Sequence, residues 1–136
     1  MSEQRVAIVT GAASGIGLAI SRRLARDGHA VAVLDVDGDA AAAAAQVIGN
    51  DDGRAIGVAA DVAERQHVRA AVEWVRHELG PPSILVNNAG TGSTFTRFLK
   101  VTPEEWDRVL GVNLTGAFHC CQAVLPDMVE VGWGRI

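Results

Sequence analysis

Four short apolar runs alternate with longer amphipathic stretches along almost the whole chain. The pattern predicts strands near residues 5–10, 30–35, 54–59 and 83–88, and helices near residues 15–27, 39–48, 64–79 and 103–131. Strands that alternate with helices form a parallel sheet covered on both faces, and right-handed crossovers give a strand order that starts 3-2-1-4. We therefore predict a doubly wound α/β fold, truncated at the start of a fifth strand that would lie beside the fourth.

The turn from the first strand into the first helix is rich in glycine. Gly11, Gly15 and Gly17 follow an apolar run and open a helical stretch. A pyrophosphate needs close access to the N–H groups at a helix N-terminus, where the helix dipole is positive, and side chains would obstruct that access. A tight turn without a ligand is the structural alternative. Together with the alternating elements, the glycines predict a Rossmann-type dinucleotide site.

Asp35 ends the second apolar run. A carboxylate at this point of the fold can accept hydrogen bonds from the adenosine ribose hydroxyls, and it would repel a 2′-phosphate. The alternatives are a solvated turn aspartate or a cap for the next helix, a role for which Asp37 and Asp39 compete. The ribose interpretation favours NAD as the cofactor.

The order of several motifs along the chain resembles that of the short-chain dehydrogenase/reductase family, and within it the sequence is similar in general character to 3-oxoacyl-thioester reductases. The segment Thr10–Gly17 matches the family pattern T-G-x-x-x-G-[IL]-G, and the segment 87–90 matches its N-N-A-G motif. Asp61 and Val62 match the pair that contacts adenine, and Asn113 matches a helix asparagine beside the active site. The resemblance implies that residues 1–136 are the NAD-binding part of a single Rossmann-fold dehydrogenase domain.

The resemblance also assigns roles to individual residues. It implies cofactor contacts from Gly11, Ser14, Gly15, Ile16, Gly17, Asp35, Asp61, Val62, Asn88, Ala89 and Gly90. Asn88, Ala89 and Gly90 would lie along the nicotinamide ribose, and Asn87 would be mainly structural. Asp61 would contact the adenine amino group, although it could instead cap the following helix. The positions where the family supplies a cation for a 2′-phosphate hold Ser14 and Val36, which again favours NAD over NADP.

Asn113 lies in an apolar helix between Gly111 and Gly116, and all three residues weaken helices. In one interpretation Asn113 is a buried residue that bonds to the backbone at a kink. In the other, which the resemblance implies, it is a catalytic residue that binds a water in a proton relay. Both can hold, because a locally opened helix exposes a carbonyl to water.

The family's reaction residues, a serine on the fifth strand and a Y-x-x-x-K motif, lie beyond the last residue of this chain. The chain has no tyrosine, and its one lysine is Lys100 in a loop. By resemblance, the complete enzyme would move hydride between NAD(H) and a secondary alcohol or ketone, while this chain alone would be inactive. Residues 91–101 would form only part of the substrate pocket. A non-catalytic dinucleotide-binding module or subunit is the alternative, whereas the G-x-x-G-x-x-G spacing of related epimerases is absent.

Composition excludes some other classes of function. A net charge of −4 spread over 136 residues argues against a nucleic-acid surface. We find no metal-ligand spacing among the four histidines, and the adjacent Cys120 and Cys121 are expected to be reduced thiols. No signal segment is evident, and no apolar stretch approaches the roughly 20 residues that a membrane span needs. We therefore expect a cytoplasmic protein with no membrane partner.

The helix predicted over residues 103–131 carries apolar residues over a broad arc. Thr102 and Glu105 suit a capping box at its start, and Pro126 should kink or end it. By resemblance, this helix packs against its copy in a homo-oligomer, a dimer or a tetramer. In this chain alone we expect Phe118, Val124 and Met128 to form an exposed apolar patch.

The predicted strand at 83–88 would also be an open edge with little or no partner. An uncovered apolar edge pairs readily with other chains. We expect the isolated chain to be aggregation-prone or only partly folded.

Overall fold

The computed structural model describes residues 3–51, 53–92 and 97–136. Its sheet contains four parallel strands, β1 (Val6–Thr10), β2 (Ala30–Asp35), β3 (Arg54–Ala59) and β4 (Ile84–Val86). They lie in the order β3-β2-β1-β4, as the sequence predicts. The two central strands are buried on both faces, which explains why β1 and most of β2 read as continuous apolar runs.

The helices cover both faces of this sheet. They are α1 (Gly15–Arg26), α2 (Gly38–Asn50), α3 (Arg65–Glu78), α4 (Pro103–Leu110) and α5 (Gly116–Val131), with a short 3₁₀ turn at Phe98–Lys100. Buried residues of α1 and α2 form one core with one face of the sheet. Buried residues of α3 and α5 form the second core with the other face. The architecture is therefore the α/β Rossmann-type fold predicted from the alternating pattern.

The continuous helix predicted over residues 103–131 is interrupted. A single π turn, Gly111–Thr115, separates α4 from α5. Thr102 caps α4 as predicted, since its Oγ1 accepts a hydrogen bond from the Glu105 N–H at 3.1 Å. Pro126 does not end the helix, because α5 continues through it to Val131 and stops at Gly132, which has a φ of 72°.

One side of α5 packs onto the sheet and the other does not. Val124 and Met128 are 0% and 5% exposed, so the prediction that they join an exposed patch is wrong. They belong to a stripe spaced four residues apart that faces the core, as helix periodicity requires. Phe118 is 54% exposed, as predicted. Leu114 in the π turn and Val129 on α5 are 66% and 76% exposed.

The outer edge of β4 is partly paired. Ile84 forms a parallel bridge with Arg135, whose N–H donates to Ser83 and whose carbonyl accepts from Leu85, at 3.0 and 2.9 Å. The prediction of an edge with little or no partner is therefore too strong. The pairing places residue 135 beside β4, on the side where the fifth strand of a doubly wound sheet would lie.

An ion pair joins α3 to α5. The guanidinium of Arg76 binds both carboxylate oxygens of Asp127, with Nη2 to Oδ2 at 2.7 Å, and Nη2 also donates to the Ala123 carbonyl at 2.9 Å. The hydrogen bonds that Arg76 donates to Asp127 raise the pKa of Arg76; partial burial opposes this, and the bond to Glu73 adds a smaller increase. Such bidentate, partly buried pairs fix the relative position of two helices.

Cys120, a residue of α5, is buried in the second core. Burial raises its pKa to about 12, and Cys121 adds a smaller contribution. Cys121 is only partly buried, and both cysteines are free thiols, as expected.

Within the described residues, the run Pro103–Val131 is long and apolar enough, by length and composition alone, to cross a membrane. The sequence-based statement that no stretch approaches that length is therefore wrong. The absence of a membrane partner stays a prediction.

Candidate cofactor site

The glycine-rich turn lies where β1 meets the end of β4. Gly11 has a φ of 60°, and a Cβ there would lie 2.9 Å from the Ala89 Cα. A Cβ at Gly17 would lie 2.6 Å from the Asn88 Nδ2. Both positions therefore require glycine for a close approach of two backbone segments.

Gly15 has a different role. Its φ is 55°, and no described atom lies within 4 Å of where its Cβ would be, so its surroundings are open. Ser14, the N-cap of α1, makes no side-chain capping bond with any described residue, and Ile16 is 74% exposed. The N–H groups of the first turn of α1 therefore face an open space of the kind that an anionic group occupies at a helix N-terminus.

Thr10 and Asn88 connect the two strand ends by hydrogen bonds. The buried Thr10 Oγ1 accepts from the N–H groups of Asn88 and Ala89 at 3.1 and 2.9 Å, and donates to the Val86 carbonyl at 3.3 Å. The Asn88 Nδ2 donates to the carbonyls of Thr10 and Gly11, both at 3.0 Å. The Asn88 amide therefore holds the backbone of the glycine-rich turn in place. Asn87 itself contacts the Cys121 Sγ at 3.5 Å.

The Asp35 carboxylate stands at the C-terminal end of β2. Its Oδ2 accepts from the Ala13 N–H at 3.0 Å and its Oδ1 from the Asp37 N–H at 3.1 Å. A carboxylate offers about four acceptor sites, so two remain for other donors. The cap of α2 is Asp37, which accepts from the Ala40 N–H, so Asp35 is not used as a helix cap.

Asp61 and Val62 follow β3. The Asp61 Oδ1 accepts from the Ala63 N–H at 2.9 Å, while the N-cap of α3 is Glu64, so the helix-cap alternative for Asp61 does not hold. Val62 is buried against the start of α5, where a Cβ at Gly116 would lie 2.6 Å from its Cγ2.

Asn113 lies within the π turn and contacts the residue that follows the N-N-A-G segment. Its Oδ1 accepts from the Thr91 N–H at 2.7 Å, and its Nδ2 donates to the Thr91 carbonyl at 2.9 Å. The predicted bonding to backbone is therefore observed, but Asn113 is exposed and not buried as that interpretation had it; the relay role stays a prediction. Arg108, which sequence reasoning missed, donates to Thr91 Oγ1 and to the Gly92 carbonyl. The sequence carries no signal for Arg108 beyond its place five residues before Asn113.

These elements enclose a groove of about 510 Å³ along the C-terminal ends of the strands. It is lined by Gly11, Ser14, Leu34, Asp35, Val36, Ala60, Asp61, Val62, Asn88, Ala89, Gly90, Thr91, Arg108 and Val112. Of the predicted site residues, the lining leaves out Gly15, Ile16, Gly17 and Asn113. Of the predicted substrate segment 91–101, residues 93–96 lie outside the described residues.

The groove fits a dinucleotide chemically. The groove lies beside the open N-terminus of α1 and contains the Asp35 carboxylate, which has spare acceptor sites, and apolar walls. Doubly wound sheets bind dinucleotides at this position. No group of three or more histidine, cysteine or acidic residues suited to a metal occurs in ranges 3–51, 53–92 and 97–136.

Known proteins similar to this chain agree on its family. A family model described as short chain dehydrogenase matches residues 5–136. D-threitol dehydrogenase of Mycolicibacterium smegmatis is 42% identical over 132 residues, which cover 97% of this chain and 50% of that protein. D-beta-hydroxybutyrate dehydrogenase of Cupriavidus necator is 36% identical over 137 residues, covering 100% of this chain and 52% of the relative. The chain therefore spans about half the length of the curated relatives it matches.

The fold is similar to that of a solved protein. The structure of a putative short-chain dehydrogenase from Novosphingobium aromaticivorans superposes with a TM-score of 0.87 at 36% identity. The match covers 93% of this chain and 46% of the other. With the family model matching nearly the whole chain, this chain belongs to the short-chain dehydrogenase family of oxidoreductases.

Proposed function

We propose that this chain is the cofactor-binding part of an NAD(H)-dependent enzyme that interconverts a secondary alcohol and a ketone. When bound, the nicotinamide cofactor supplies or accepts the hydride. The residues of this chain bind and orient it: α1 faces the pyrophosphate, Asp35 the adenosine ribose, and Asn88 to Gly90 the nicotinamide ribose. The chain holds no tyrosine and spans about half the length of the relatives it matches, so we propose this activity for a protein of the relatives' full length.

The proposed preference for NAD over NADP rests on Asp35. Its carboxylate is held by two backbone N–H groups on the groove wall, and the adjacent Val36 is 73% exposed with no charge to offer. A 2′-phosphate would meet a fixed carboxylate, and a desolvated like-charge contact costs several kcal/mol. Two ribose hydroxyls, in contrast, can use the carboxylate's remaining acceptor sites.

The test is the affinity of the full-length protein for NAD⁺ and NADP⁺, measured by calorimetry. We expect NAD⁺ to bind at least about 100-fold more tightly, which corresponds to about 2.7 kcal/mol. Asp35→Ala combined with Val36→Arg should reverse the preference, whereas the matched control Asp39→Ala, an exposed carboxylate outside the groove, should leave it unchanged. Equal affinities in the unmodified protein would overturn the NAD assignment.

A non-catalytic binding module is the second candidate, because the chain has no tyrosine and one lysine. The two candidates differ in what the rest of the gene encodes. The dehydrogenase proposal expects a serine and a Y-x-x-x-K motif after codon 136, and turnover that is lost when that tyrosine is replaced. A full-length protein that binds NAD⁺ but reduces no ketone and oxidises no alcohol would support the module.

We also propose that the exposed side of the long helix mediates homo-oligomerisation. Leu114, Phe118 and Val129 form an apolar strip on α5 and the π turn, and such strips mark interaction sites. Phe118→Glu with Val129→Lys should lower the molecular mass measured by sedimentation. An unchanged mass would contradict this proposal. Cytoplasmic location stays an expectation.

A further inference from the structure

We infer that Arg108 is a positioning residue that, with Asn113, holds Thr91, which lines the cofactor groove, and the adjacent Gly92 in a fixed position. We call these two residues the β4 loop. The inference rests on the proposed dinucleotide groove, and it assigns a role to a side chain that no motif singles out.

The contacts to the β4 loop come from two side chains of one helical run. The Arg108 Nη1 donates to Thr91 Oγ1 at 2.6 Å, and its Nη2 donates to the Gly92 carbonyl at 2.9 Å. Asn113 binds the Thr91 N–H and carbonyl at 2.7 and 2.9 Å. Every hydrogen-bonding group of Thr91 is therefore held by Arg108 or Asn113. The planar fork of arginine makes its two bonds together, which the single ammonium of a lysine does not reproduce.

The π turn explains how two residues five apart reach one loop. On an uninterrupted α-helix, such residues point about 140° away from each other, since each residue turns the chain by about 100°. In a π turn each N–H bonds five residues back, and the Gly116 N–H bonds the Gly111 carbonyl here. The wider turn brings position 113 toward the face of position 108. Arg108, before the π turn, and Asn113, within it, both reach the β4 loop.

The β4 loop needs such a clamp because of its sequence. Thr91 stands between Gly90 and Gly92, and glycine has the largest backbone freedom to lose on ordering. Gly90 and Thr91 line the groove, and a Cβ at Gly90 would lie 3.6 Å from the Asn113 Oδ1. A wall that is ordered before binding avoids the entropic cost of ordering it during binding, so the clamp raises cofactor affinity.

The experiment combines hydrogen exchange without cofactor and NAD⁺ affinity, both on the full-length protein. For Arg108→Gln we expect faster exchange of the Thr91 amide and a five- to tenfold higher Kd for NAD⁺. Thr91→Val, which removes the acceptor of Nη1, should act in the same direction. The double variant should be less than additive, because both substitutions remove the same hydrogen bond. Arg108→Lys should restore only part of the affinity.

Arg26→Gln is the matched control, since Arg26 is an exposed arginine on α1 outside the groove, and it should change neither quantity. An unchanged exchange rate of the Thr91 amide in Arg108→Gln would overturn the clamp. If the Kd for NAD⁺ rose in that variant without faster exchange, Arg108 would contact the ligand directly. Because the exchange measurement needs no cofactor, a protein that binds neither NAD⁺ nor NADP⁺ would refute the proposed function separately.

Discussion

Replacing Thr10 by valine tests whether the hydrogen bonds between β1 and β4 shape the cofactor groove. Thr10 is 1% exposed, and its Oγ1 is the acceptor for the Ala89 N–H at 2.9 Å. Valine keeps the shape of the side chain but leaves that N–H without its acceptor, which costs about 1–3 kcal/mol. The added methyl group recovers about 0.8 kcal/mol. The Asn88 N–H is less affected, because it also bonds the Val86 carbonyl at 3.0 Å. We expect Thr10→Val to lower the free energy of unfolding by the difference, about 0–2 kcal/mol.

Serine at the same position is the matched control. Thr10→Ser keeps the hydroxyl and loses one buried methyl group, for a cost of about 1 kcal/mol. The two variants should therefore have similar stability in urea unfolding. Only Thr10→Val frees the Ala89 backbone, which lines the groove, so only this variant should weaken NAD⁺ binding, by on the order of tenfold or about 1.4 kcal/mol. Equal effects of the two variants on NAD⁺ affinity, measured by calorimetry on the full-length protein, would refute the reasoning.

Three further predictions follow from contacts described above. Gly17→Ala should abolish NAD⁺ binding, because the new Cβ would lie 2.6 Å from the Asn88 Nδ2. Gly49→Ala is the control: no described atom lies within 4 Å of its new Cβ, and thermal melts should show α2 stabilised by about 0.5–1 kcal/mol. Asp127→Ala removes a side chain that is 13% exposed and is the bidentate partner of Arg76, and it should lower the free energy of urea unfolding by about 2–3 kcal/mol. Asp27→Ala breaks an exposed pair with Arg23 and should lower it by under about 1 kcal/mol. Equal losses in the two variants would contradict this difference. Ellman's reagent at pH 8 should modify one thiol per native chain, Cys121, because its buried neighbour has a pKa of about 12; two rapidly reacting thiols would show that this burial is absent in solution.

Much of the candidate site was predictable because its features are local in sequence. Glycines in a sharp turn between a predicted strand and a predicted helix indicate positive φ angles, and Gly11 and Gly15 have them. Asp35 was predictable because it ends a buried strand, and parallel strands bring their C-terminal ends to one edge. The capping of α4 by Thr102 was predictable for the same reason, since the donor is three residues away.

Other features depend on partners far along the chain. The backbone that the Asn88 amide holds belongs to Thr10, 78 residues before Asn88. Burial of Val124 and Met128 depends on which side of α5 meets the sheet, and a broad apolar arc does not specify that side.

The sequence by itself determined the order of strands, the glycine turn and the family, because spacing and strand ends encode them directly. The sequence also located a weak point of the long helix around Asn113, but only the tertiary structure decided that it is a π turn and that Arg108 joins Asn113 on the β4 loop. The physical reason is that helix propensity is weak at Gly111 and Gly116, so long-range hydrogen bonds select the local geometry. Those bonds connect residues that the chain brings together only when the sheet has formed.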